Sequence, residues 1–541
     1  MNRFIIFITL LVTSQLGAQN DTTKIQLNQV EVIKSFEANL EDAQKVTIKS
    51  VLPVQKPFSP AYKYDITIVP IELKYPDPQI KPLAMNPDSP FKVNKGYIIA
   101  GFGILKNPDV MAGYHTSKKD TYDAGIHLDF SSLDNSNKNP YQKYSNLSAD
   151  VYGSYMIKEN TKLYGGVKFA NNNRYFYHTD LNVSDTFSAD ASKRTLNTID
   201  VKAGITNAER TKYNINYDLN LALKSFNMDN TDARESMIAL AGHGEKHVGE
   251  ATVFMLDGRI EQTAMNADSS INLFTTKLVP SIKTEFGNFI VNVGLNYIYD
   301  GNKQSVLFPE VLLSYGIVGP NLQIFVGTTQ DYFTNNLRNT AAINPWLSTD
   351  ISSVTNAIRR EYFGGVKGQF SFLNYQIKAG YKQISNQVFM LNNRSDLRYF
   401  DMITDDLNVV FLSGNLDFAI TDNITLGGWL TQNVFDLNIL ENAWHLPNLE
   451  ANAYTKINLL ENKLKIKGEL FFNDKVDFIN KEGEITKSNV LFDLNASVEY
   501  KFTEKFGAFV RGINLLDNKY ERWYGYPSVG INGMVGVSVV F

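Results

Sequence analysis

No cysteine occurs among the 541 residues. That excludes disulfides, thiol nucleophiles, thiolate metal sites and a lipid anchor on cysteine. A long secreted chain can do without cross-links, because size supplies the buried surface. No run of apolar residues reaches the roughly 20 needed for a spanning helix. Net charge is only −4, so the basic surface of a nucleic-acid binder is missing. Histidine is scarce, at six residues. His243 and His247 are spaced as a helical metal pair would be, but they lie in a strand-and-turn pattern where that spacing shares no helical face. Zinc needs three or four ligands, so no metal or other cofactor is expected. No nucleophile elbow, phosphate loop or HExxH motif is present. Asp405-Asp406 reads as a solvated pair in a loop approach, and no nucleophile with a nearby base suggests an enzyme.

What is present begins at the N-terminus. Arg3 precedes an apolar stretch from Phe4 to Leu11, broken only by Thr9, and small residues follow up to Ala18. This is the layout of a cleaved secretory signal over residues 1–18. Residues 19–95 hold 9 of the 17 prolines. Proline removes a ladder donor and disfavours helix interiors, so this segment is extended rather than compact.

From Gly96 to Phe541 the pattern becomes period-two alternation. Phe492, Leu494, Ala496, Val498, Tyr500 and Phe502 alternate with Asp493, Asn495, Ser497, Glu499 and Lys501. The stretch from Tyr213 to Lys224 and the stretch from Leu464 to Phe472 repeat the pattern. One apolar and one polar face over about 9–11 residues suit a transmembrane strand. With no spanning helix, an embedded chain must be a closed barrel, the other structure that satisfies every backbone group in lipid. A soluble sandwich or propeller would use shorter strands.

Short turns, such as Gly287-Asn288, Asp422-Asn423 and Glu504-Lys505, separate longer connections at 131–143, 171–193, 333–356 and 436–446. Keeping short turns periplasmic and longer loops extracellular throughout predicts 22 antiparallel strands starting near Gly96 and ending with one near Val529. Without the segments at Glu235 and Ala251 the count would be 20. Aromatic residues, 12% of the chain, fit interfacial girdles. The loop 333–356, with Asn335, Asn336, Arg338, Trp346 and Asp350, is the longest strand-free connection and a candidate for external recognition. Trp523, Tyr524 and Tyr526, in the last external loop, are further candidates, with girdle or loop packing as their other reading.

The C-terminus reads Phe509-Val510-Arg511-Gly512-Ile513-Asn514-Leu515-Leu516-Asp517-Asn518-Lys519-Tyr520, then Tyr524-Gly525-Tyr526-Pro527, and ends on Val535 to Phe541. This resembles the end of TonB-dependent outer-membrane receptors, and the dense Asn and Tyr resemble the Bacteroidota type. The resemblance implies a 22-stranded barrel in the outer-membrane lipid and a final strand (Val537, Val539, Phe541) read by the barrel-assembly machinery. It also implies TonB as a partner. Leu27 to Ile33 is similar to a receptor's mature start, where Val30, Glu31, Val32 and Ile33 would form the TonB-box-like segment that pairs by strand addition. The family's plug is far longer than the 77 residues between leader and barrel, so the plug is reduced or missing. Two functions stay open: uptake or transport across the outer membrane, or a non-transporting scaffold in a larger complex with other outer-membrane or surface lipoprotein subunits.

Overall fold

The computed structural model describes residues 94–158, 160–181, 187–229, 231–301 and 304–541. The leader, the TonB-box-like segment (Val30 to Ile33) and the proline-rich stretch up to 93 lie outside the described residues.

Twenty-two antiparallel strands form one closed sheet. They start with β1 (Gly96–Gly103) and β2 (Asn107–Lys118) and run in sequence order around the wall. The last, β26 (Asn532–Val540), pairs with both β23 (Phe506–Ile513) and β1. Closure joins Tyr97–Gly103 to Met534–Val540. Beyond it, the Phe541 carbonyl accepts from the amides of Lys95 at 2.7 Å and Gly96 at 2.8 Å, and the Phe541 amide donates to Gly96. Val537 and Phe541 stand about half exposed on this seam. Among the described residues no helix is long and apolar enough to cross a membrane. The wall is made of strands instead, so no unpaired edge meets lipid.

Alternation decides the two faces. On β7 (Ile215–Met228), Leu219, Leu221 and Leu223 are exposed on the outer wall, while Asp218, Asn220 and Lys224 take the opposite parity. The two segments that left 20 strands open are both strands, β8 (Arg234–Val248) and β9 (Thr252–Asn266). The short turns and the longer connections fall at opposite ends of the wall, as expected. All the short turns named above lie at one end, but three connections at the other end, 104–106, 267–269 and 301–303, are equally short. Wall height varies as well. The closing strands have 8 and 9 residues, whereas β15 (Leu373–Asn392) has 20 and β16 (Phe400–Thr421) has 22. β16 starts at Phe400 and absorbs Asp405 and Asp406. These two residues are in a strand, not a loop approach, because the β15–β16 ribbon rises above its neighbours and carries its pairing up to Asn392–Phe400.

The large buried apolar cluster sits at the end bearing the long loops, around Phe176, Met228, Leu337, Leu347, Phe389, Phe400, Leu446 and Trp523. An arginine at Leu221 should cost about 2–4 kcal/mol at mid-membrane depth, and one at lumen-facing Asn220 less than ~1. Equilibrium unfolding by urea in lipid vesicles measures the difference, and equal costs would reverse the assignment of faces.

Candidate functional site

The long loops fold inward and pack on one another over the mouth of the barrel. The connection between β13 (Gln323–Phe333) and β14 (Ala357–Gln369) holds a short helix, α1 (Leu337–Ile343). Asn336 caps it by accepting from the Asn339 amide at 2.9 Å, which satisfies a donor the helix leaves free. Leu337 and Ala341 turn into the buried cluster. On the same helix Arg338 reaches β6 (Lys193–Asn207), seven strands away around the wall. Its guanidinium donates two bonds, of 2.5 and 2.7 Å, to the Asp200 carboxylate. Such a forked pair fixes direction as well as distance. The Arg338 amide donates to Glu235 of β8 at 3.1 Å.

After the helix, the chain is held by three further ties. Arg194 donates to the carbonyls of Pro345 and Leu347 at 3.0 and 2.6 Å. The Trp346 indole donates to the Tyr175 carbonyl at 3.0 Å. Leu347 forms a parallel bridge with Phe400. Asn335 is buried and donates to Thr355 and Asn386 carbonyls. Asp350 alone of the five candidates in this loop is exposed.

The last loop meets the same core. Its hairpin pairs β24 (Glu521–Trp523) with β25 (Tyr526–Pro527) around Gly525. The Tyr526 ring stacks on Trp346 with centroids 3.8 Å apart and a 19° tilt, and its hydroxyl donates to the Arg398 carbonyl at 2.8 Å. Tyr524 donates to Asp180, and Trp523 lies against Phe400 and His445. Trp523, Tyr524 and Tyr526 are all buried. Four of the five aromatic and cationic candidates, Trp346, Trp523, Tyr526 and Tyr524, thus sit in or beside the packed loops, and Arg338 is tied to the wall.

Sequence reasoning missed the histidines that this core encloses. His178 has its ring against Tyr524 and Tyr526 and accepts from the Asp180 amide at Nδ1. His445 donates from Nδ1 to the Arg522 carbonyl at 3.1 Å. Both Nε2 atoms are buried without a protein partner. Burial pushes His178 down to about 4 and His445 down to about 3. Asp180 and Asp396 pull His178 the other way but do not win. In contrast, His243 and His247 lie on β8, bonded to Asp257 at 2.7 Å and to Glu245 at 3.2 Å. Among the described residues no group of three or more metal-ligating side chains is arranged to hold a metal ion.

Asp405 has a structural part as well. Its carboxylate accepts from the amides of Ile439 and Leu440, each at 2.8 Å, and so anchors the loop that follows β17 (Ile424–Leu437). Hollows of about 640 and 380 Å³ elsewhere are lined by outer-wall residues such as Val311, Val326 and Tyr362, or Ile199, Leu223 and Ile238. Both lie on the apolar outer face of the wall, away from the packed loops.

Two outcomes follow from this geometry. Gly525 has φ +77, and a Cβ there would lie 2.1 Å from His178 Nε2. Gly525→Val should therefore open the hairpin, speed proteolytic cleavage within 514–531 and leave the heat-modifiable barrel band intact; unchanged cleavage would refute this packing. The histidines set a pH response. Their folded values lie below the unfolded ~6.5, so the unfolded loops bind more protons as pH falls below it. Stability is full above about 6.5 and drops by ~1.4 kcal/mol per unit per histidine down to the folded values. The emission of Trp346, Trp444 and Trp523 should shift to the red between pH 6.5 and 4.5, and a His178→Gln, His445→Gln pair should abolish that shift.

The sequence matches no family model and no curated protein. Solved structures do match. The FrpB iron transporter of Neisseria meningitidis (F3-3 variant) superposes with a TM-score of 0.66 at 10% identity, over 83% of this chain and 82% of that one. The siderophore receptor PirA of Acinetobacter baumannii gives 0.64 at 9% identity, over 83% and 81%. A mutant form of the ferric enterobactin receptor PfeA of Pseudomonas aeruginosa gives 0.62 at 10% identity, over 82% and 80%. At these identities the likeness is one of fold: the chain has the closed 22-stranded antiparallel barrel that these outer-membrane proteins share.

Proposed function

We propose that this chain is an exported outer-membrane barrel of the TonB-dependent-receptor type that serves uptake across the outer membrane. The observation that carries the reading is the closed 22-stranded wall with a polar inner face under inward-folded loops. A barrel of this width encloses a lumen that must be occluded, and here the loops cover one end of it. The likeness in fold to an iron transporter and two siderophore receptors supports the same class. In this reading residues 1–18 are the cleaved leader, and 19–95 form a reduced periplasmic or lumenal plug of Bacteroidota type. Val30, Glu31, Val32 and Ile33 then engage TonB, and residues 96–541 are the barrel. Val537, Val539 and Phe541 present the assembly signal. Arg338, Trp346, Trp523, Tyr524 and Tyr526 govern the outer mouth, so a ligand acts on them by repacking the loops.

One observation favours the scaffold reading. The loops over the mouth are joined by aromatic rings in mutual contact, an arrangement that resists opening. Comparison of three strains under nutrient limitation separates the two readings: one lacking the whole chain, one lacking residues 24–36, and one lacking TonB. Uptake predicts that all three share one growth defect. A normal phenotype for the 24–36 deletion, beside a defect in the whole-chain deletion, would transfer the case to the scaffold.

A further inference from the structure

Four neighbouring strands share one inner row toward the end of the wall that carries the short turns. Thr425 of β17 lies opposite Lys456 of β18 (Leu449–Leu459), and Lys456 lies opposite Lys467 of β19 (Leu464–Asn473). Lys467 in turn lies opposite Ser497 of β22 (Leu491–Lys501). Leu426, Leu459 and Val498 are exposed on the outer wall. The row has the opposite parity, so it faces the lumen. Lys456 and Lys467 are exposed there, and Thr425 and Ser497 are half-buried. Lys465, two residues along β19, faces the same way.

Like charges directly opposite on one face of a sheet repel. Among the described residues none of Lys456, Lys465 and Lys467 forms an ion pair. The carboxylates around the row have other partners or lie off it. Glu469, on the loop side, accepts from Asn452 at 3.1 Å, and Asp417 accepts from the Tyr454 hydroxyl. Glu499 stands opposite Lys465 on the turn side, followed on the same face by Lys501. Arg511 extends the row beyond Ser497 and is paired with Asp109 at 2.9 Å. The Lys456 ammonium lies 4.7 Å from the centre of the Tyr454 ring, which steadies the charge without cancelling it. The row thus lacks a counter-charge between its two ammoniums. A cationic ligand would add to the repulsion, and a neutral one would leave it. An oxyanion with two or more charges would accept from both ammoniums and from the hydroxyls on either side.

We propose that this row binds a multivalent oxyanion of the phosphate class, with Lys456 and Lys467 as its charged contacts and Thr425 and Ser497 as hydroxyl donors. The site does not rest on the uptake reading, since binding by the purified barrel needs neither TonB nor transport. The full chain in nonionic detergent is titrated calorimetrically with pyrophosphate, with nitrate and spermidine as monovalent and cationic comparisons. Low salt is used, because contacts in an open lumen are screened. Pyrophosphate should saturate one site. Lys467→Gln should weaken it at least about tenfold, and Lys467→Arg, which keeps the charge, by less than about threefold. Urea unfolding supplies a second readout. Without anion, Lys467→Gln should raise the midpoint, because the repulsion is gone. Pyrophosphate should raise the midpoint of the natural chain but not that of this variant. Lys119→Gln, in a short turn elsewhere, should change neither result. Heat-modifiable mobility checks folding; if Lys467→Gln does not fold, Lys456→Gln replaces it with the same expectations. No saturation by pyrophosphate, equal binding of nitrate or spermidine, unchanged affinity in the folded variant, or a lowered midpoint without anion would each overturn the proposal.

Discussion

Every peptide group in this wall has to find its partner within the sheet, because lipid offers none. That constraint makes the pairing of β1 with β26 indispensable, since a sheet open at this seam would present two polar edges to hydrocarbon. The ties beyond the last pair, from Lys95 and Gly96 to Phe541, extend the seam to the end of the chain. Side chains then follow from the pleat alone. Leu219, Leu221 and Leu223 face lipid because Asp218, Asn220 and Lys224 face the lumen.

A barrel whose apolar residues point outward cannot also bury them inside the wall. The packed core therefore forms where the long loops meet, from pieces far apart in sequence. Arg338 ties α1 to Asp200, Arg194 ties the following turn to its own strand, and Tyr526 brings the last loop onto Trp346. The neutral state of His178 and His445 belongs to this same core, because protonating either would leave a charge among aromatic rings.

Uneven strand lengths give the loop end its character. The closing strands are short, and β15 and β16 stand highest. One recess, of about 480 Å³, lies at the top of β17 beside the loop that follows it, lined by Gln432, Asp436 and Asn442 among others. Asp405 anchors the loop after β17 from a strand position.

The alternation of Phe492 to Phe502 or Tyr213 to Lys224 was enough to place strands, because a period of two maps directly onto two faces of a pleated wall. Gly287-Asn288 and Asp422-Asn423 were equally plain as turns, and the number of strands followed from their parity. Tertiary structure alone decided what the loops do. Nothing local in Leu337–Ile343 marks a helix that lies on β8 and β6, and nothing beside His178 says that Gly525 will press against its ring. Asp405 looked solvated because its partners, the amides of Ile439 and Leu440, come from a distant loop. Periodicity is a property of neighbours along the chain, whereas the mouth of the barrel is built from contacts between residues hundreds of positions apart.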